Sequence, residues 1–142
     1  MILKVFFPIL VLALSFAGRA TGAEQHEPQN LVQQEMMALD RALAVTIDAI
    51  ILNDLGRIPP AFNEVHRIRE QVEQAVKSHS LITLPRNQKR FREFVRLDNK
   101  FHHELEILLQ GAKKNKMRVV QKQTHRLLDA CVRCHSIFRK QG

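Results

Sequence analysis

An all-α fold, arranged as an antiparallel four-helix bundle, is what this sequence predicts, and three observations predict it. Gly and Pro contribute only five residues each among 142, too few for a turn-rich β-sandwich or barrel. Hydrophobic residues make up 45% and charged residues 25%, a balance that excludes wholesale disorder in a length that suits one domain. Beyond residue 23, apolar side chains recur at steps of three and four over four stretches divided by helix breakers. No strand pattern competes, and neither an internal repeat nor a Gly-rich phosphate loop is visible.

The first 23 residues stand apart from that pattern. Met1 to Lys4 form a short, positively charged start, Val5 to Phe16 an apolar run of 12 residues, and Ala17 to Ala23 a small-residue region ending Thr21-Gly22-Ala23. This is the layout of a secretory signal peptide, with cleavage expected before Glu24. The apolar run falls short of the roughly 20 residues that span a bilayer. The expected organisation is therefore a signal over 1–23 and one helical domain over 24–142, with no membrane span once the signal is removed.

Each helix has its own justification. The first runs from about Pro28 to Asn53 on the stripe Val32, Met36, Leu39, Leu43, Ile47 and Ile50, and Gly56 with Pro59-Pro60 breaks it. The second opens near Pro60, where proline suits a first turn, buries Phe62, Val65, Ile68, Val72 and Val76, and ends near Ser78. His79 to Pro85 reads as a loop. The third, from about Asn87 to Leu109, offers Phe91, Phe94, Phe101, Leu105 and Leu108, with Gly111 as its stop. The fourth, from about Ala112 to Lys140, carries Val120, Thr124, Leu127, Cys131, Cys134 and Phe138. Short connections between four amphipathic helices describe the bundle.

Charge is unevenly placed. Residues 24–110 carry 11 basic and 13 acidic side chains, whereas residues 111–142 carry nine basic ones against Asp129 alone. A basic tail is a nucleic-acid signal only with a recognition motif, and none accompanies it here. A solvated basic helix face, or a docking surface for an acidic protein, is the expectation.

The chemistry sits late in the fourth helix, where Cys131-Val132-Arg133-Cys134-His135 spells C-x-x-C-H, the attachment site of a c-type haem. Positions i, i+3 and i+4 share one helix face, so Cys131 and Cys134 can form thioethers to one porphyrin edge while His135 points at the iron. A thioredoxin-like dithiol wants its pair at a helix N-terminus after a strand. A structural zinc site needs four ligands, and there are no further cysteines. A disulfide between Cys131 and Cys134 would strain a regular helix. One motif implies one covalent haem.

With these residues in view, the chain resembles the class II c-type cytochromes, the group of cytochrome c′ and the low-spin cytochrome c-556 type. Cys131, Cys134 and His135 match, followed by Phe138-Arg139 at the aromatic-basic position after the histidine, and Pro60-Ala61-Phe62 is similar to the family's second-helix opening. The resemblance implies a periplasmic haem protein whose sixth iron position decides its task. A methionine from the first helix makes an electron carrier, and Met36 is the expected ligand, with Met37 beside it. An open apolar face lined by Leu39 or Leu43 would instead bind nitric oxide or carbon monoxide. The resemblance also implies that Arg41 meets a haem propionate; cytochrome c′ proteins often pair through their first two helices, and the apolar Ile51 and Leu52 leave both monomer and homodimer open. Arg139 follows Phe138 and would shield the His135 side.

Among His66, His79, His102, His103 and His125, His102 is the best placed to ligate iron instead. No acid–base pair or second cofactor motif marks an enzyme.

Overall fold

Asn30 starts the first helix with a reciprocal cap: its side chain accepts from the Gln33 backbone N–H at 3.0 Å, and the Gln33 side chain accepts from the Asn30 N–H at 3.1 Å. The computed structural model describes residues 30–78 and 82–140, so the expected signal over 1–23 lies outside the described residues. The elements are α1 (Leu31–Ile51), α2 (Ile58–Ala61), α3 (Asn63–Lys77), α4 (Phe91–Lys113) and α5 (Met117–Phe138), with 3₁₀ turns at Leu55–Arg57 and Gln88–Arg90. No strand occurs among the described residues, and no helix among them is long and apolar enough to cross a membrane.

The four long helices pack around one core in a bundle-like arrangement. α4 and α5 form a hairpin, α1 lies against α3, and the short α2 wedges between α1 and α4. Phe62, Ile58, Leu105, Leu108, Leu127, Val65 and Val120 are fully buried at its centre. Each such side chain contributes about 1.5–3 kcal/mol through loss of water contact. Two buried hydroxyls are satisfied locally: Thr46 and Thr124 donate to the carbonyls of Ala42 and Val120, both at 2.9 Å.

The helix boundaries depart from the sequence expectation in an instructive way. Glycine does not punctuate this fold. Asn53, Asn87 and Asn115 hold the left-handed backbone positions at the three junctions, with φ of 53°, 57° and 49°, a conformation asparagine tolerates better than other residues with a Cβ. α4 therefore runs through Gly111 to Lys113 rather than stopping there. Gly111 has a different task. A Cβ at that position would lie 2.9 Å from Cγ1 of Val119, so its bare α-carbon lets the first turn of α5 close over the end of α4.

On α1 the buried face is rotated from the expected stripe. Ala38, Ala42 and Ala49 are buried with Val32 and Leu39, whereas Met36, Leu43 and Ile50 are half-buried and Ile47 is exposed. Small side chains on the inner face let α1 approach α3 closely.

Candidate functional site

α5 packs chiefly on α4 and touches α1 little. Between α1 and α5 lies a cavity of about 600 Å³, with mostly apolar walls and a size within the range of small-molecule and cofactor sites. Met36, Met37 and Val32 line it from α1, with Arg41 and Asp40 beside them. Cys134, His135, Phe138 and Arg139 line it from the end of α5, and Phe94 closes it from α4.

A strap between α3 and α4 forms the remaining wall. Leu84 and Pro85 face the cavity, and their segment is tied on both sides. Asn30 donates through its amide to the Thr83 carbonyl at 3.0 Å, and Asn87 donates to the Ile137 carbonyl at 2.6 Å. Gln88 stiffens the strap from within: its side chain accepts from the Leu84 N–H at 2.7 Å and donates to the Ile82 carbonyl at 2.8 Å. The same asparagine that caps α1 thus also secures the strap.

Of the seven sequence-predicted site residues, six meet at this cavity: Met36, Arg41, Cys134, His135, Phe138 and Arg139. The seventh, Cys131, sits one turn earlier on the same face of α5, half-buried against the core but outside the cavity wall. Phe138 is buried and meets Phe94 edge to face, ring centroids 5.6 Å apart. His102 does not reach the cavity; it turns toward Glu35 and Asp98. His66 and His103 line a separate depression with it between α3 and α4, His125 is exposed, and His79 lies outside the described residues. The strap residues were missed because an isolated Leu-Pro pair in a loop has no periodicity to reveal a buried role.

The electrostatics bear on what the pentapeptide can do. Burial pushes the Cys131 thiol up, and it pushes Cys134 up as well, with Cys131 adding to the effect. A dithiol oxidant needs the opposite shift. Late in a helix the dipole also opposes a thiolate. Burial holds the His135 imidazole below its ordinary value, and the Arg139 charge adds to this. Neutral at pH 7, the ring keeps a lone pair for a metal.

Neither cysteine joins, among the described residues, a group of converging metal-ligating side chains. Among the described residues, the one set of three His, Cys, Asp or Glu side chains with converging ligand atoms is Glu35, Asp98 and His102. The lining suits an apolar group that carries negative charge at its edge: its walls are mostly apolar, a neutral imidazole and a thioether line it, and Arg41 and Arg139 offer positive charge beside Asp40.

A basic face adjoins the site. Glu93 on α4 has its carboxyl held below the usual range, chiefly because Arg90 donates to it at 2.7 Å, with Arg96 and Arg133 adding positive charge. Comparison with family models, with curated proteins and with solved structures finds no match to this chain.

Proposed function

We propose that the chain is a mono-haem c-type cytochrome, exported to the periplasm, that carries single electrons. One observation carries this reading: a cavity lined by Met36 of α1 and by Cys134 and His135 of α5, residues nearly a hundred positions apart. A haem bound there would supply an iron that alternates between ferric and ferrous states, one electron at a time.

The chain's own residues would divide the work. Cys131 and Cys134 would hold the group through thioethers, so that His135 stays beside it even when the fold opens partially. His135 offers a neutral imidazole, and Met36 a thioether that stabilises the ferrous state and raises the potential. Arg41 and Arg139 would meet the propionates, whose burial without a cation is costly. Phe138, stacked edge-on against Phe94, helps keep water out. Because Met36 and His135 are held on packed helices, they would move little as the charge changed, so little would reorganise on electron transfer.

The basic face beside the pentapeptide favours an acidic redox partner, met in a small, short-lived contact. Ile47, Ile51 and Leu52, exposed along the end of α1, would serve a homodimer.

A gas-binding protein would present leucines rather than methionine from α1. Leu39 and Leu43 lie outside the cavity wall, whereas Met36 and Met37 line it, so the electron carrier is the better-supported reading.

The test is an absorption spectrum of protein matured in a host that attaches c-type haem, ferric and ferrous, with and without carbon monoxide. A low-spin spectrum with a methionine–iron band, unmoved by carbon monoxide and lost in Met36→Ala, is expected. A high-spin ferric spectrum with prompt carbon monoxide binding would favour the gas-binding alternative. Absence of covalent haem would overturn both.

A further inference from the structure

The inner face of α1 carries a fully buried carboxylate, Glu35, one position before Met36. Its Oε1 lies 2.9 Å from Nε2 of His102 on α4. A carboxylate only accepts, so the His102 ring N–H donates. The same Nε2 stands 3.7 Å from Asp98 Oδ1, and Asp98 pairs with Arg69 of α3. Arg69 also donates to Asn99 and, at 3.1 Å, to Glu73. A chain of polar side chains thus crosses the bundle from α1 through α4 to α3.

This arrangement is costly. Oε2 of Glu35 finds no hydrogen-bond partner among the described residues, and a buried carboxylate left partly unmet loses free energy that an apolar side chain would not. The cluster is also poorly suited to a cation, because the Arg69 guanidinium already supplies positive charge to Asp98. What the bond provides is direction. An imidazole–carboxylate contact holds only over a narrow range of angles, whereas the neighbouring Ala38, Ala42 and Ala49 are small and resist rotation of α1 weakly.

Successive helix residues differ by roughly 100° of azimuth, and Met37 follows Met36 directly. Both line the cavity, Met36 half-buried and Met37 44% exposed. A turn of α1 by one position would exchange them. We propose that Glu35 and His102 are positioning residues, their bond fixing the rotation of α1 so that Met36 rather than Met37 is offered as the sixth iron ligand. This inference rests on the haem reading above.

The experiment compares haem-loaded wild type, His102→Leu and His102→Gln by the methionine–iron band, by carbon monoxide affinity of the ferrous form, and by circular dichroism melting. Each is repeated with Met37→Leu added. In the wild type, Met37→Leu should leave the band unchanged. In His102→Leu the band should weaken and carbon monoxide affinity rise about tenfold, as the fraction with the sixth position open grows. Adding Met37→Leu there should weaken the band further. His102→Gln, whose amide keeps a donor for Glu35, should restore the wild-type band.

If His102→Leu does not fold, the double variant Glu35→Leu with His102→Leu, which leaves no unpaired carboxylate, is read in the same way. A folded variant that keeps the full band, indifferent to Met37→Leu, overturns the positioning role and leaves the cytochrome reading standing. A wild type with covalent haem but no methionine–iron band overturns the positioning role and the electron-carrier reading, whereas a wild type without covalent haem overturns the haem reading itself.

Discussion

The Asn87 side chain reaches across fifty residues of sequence to the Ile137 carbonyl, an N–H···O bond of 2.6 Å that joins the strap before α4 to the last turn of α5. Asn87 does this from the left-handed region, at φ 57°. One residue thus sets both the path of the strap and its attachment beside His135.

Two substitutions separate those roles. Asn87→Gly keeps the backbone conformation and loses only the bond, and should lower stability by about 1 kcal/mol. Asn87→Ala loses both and should cost about 1 kcal/mol more. Urea denaturation of the two variants beside the wild type measures the difference.

Gly111→Ala should destabilise the α4–α5 hairpin despite alanine's better helix propensity. The new Cβ would lie 2.9 Å from Val119 Cγ1 and 3.2 Å from its Cβ, and a β-branched neighbour has no spare rotamer with which to yield. The net loss should be about 1–2 kcal/mol, since overpacking exceeds the propensity gain. Adding Val119→Ala should recover most of it. A double-mutant cycle by thermal denaturation checks the coupling.

The Arg69–Asp98 pair should behave asymmetrically. Both side chains are buried, so Arg69→Met alone strands a carboxylate and should cost about 3–5 kcal/mol. Arg69→Met combined with Asp98→Leu should regain most of that loss. Equal destabilisation of the single and double variants in chemical denaturation would count against a compensated ion pair.

In the haem-free chain the two thiols should be sluggish. Their raised values leave less thiolate at pH 7.5 than a free cysteine has, with its ordinary value of about 8.5. Iodoacetamide should therefore modify both more slowly than it modifies a cysteine peptide. The linkage has a definite sign. Above the ordinary thiol value the unfolded chain gives up protons that the fold still holds, so stability should fall as pH rises from there toward the folded values. Mass spectrometry of timed alkylation and alkaline denaturation curves measure the two effects.

Much of this was legible in the sequence, for reasons particular residues make plain. The 4-3-4-3-4 spacing from Val120 to Phe138 survives intact as the inner face of α5, because a long helix with a strict period has one way to bury it. The gathering of Cys134, His135, Phe138 and Arg139 at one cavity follows from that phase, while Met36 meets them from the half-buried edge of α1. At the first and last junctions Asn53 and Asn115 hold the left-handed positions where Gly56 and Gly111 were expected to mark the breaks, since asparagine tolerates that region without being as obvious a breaker. Glu35 was invisible to a search for apolar stripes. Its burial depends on His102, 67 residues away, and no local pattern reports such a partner.

The topology of the cavity also bears on the order in which the protein assembles. α4 and α5 are joined by three residues, 114 to 116, so their hairpin closes a short loop and is expected to form early. α1 stands at the far end of the chain and must pay for a long closure before it can dock. The pentapeptide is therefore presented on a formed hairpin while the opposite wall is still absent. During that interval the site is an open shelf rather than a pocket. On the haem reading proposed above, the group would reach both cysteines from the side, and the docking of α1 would then complete the enclosure.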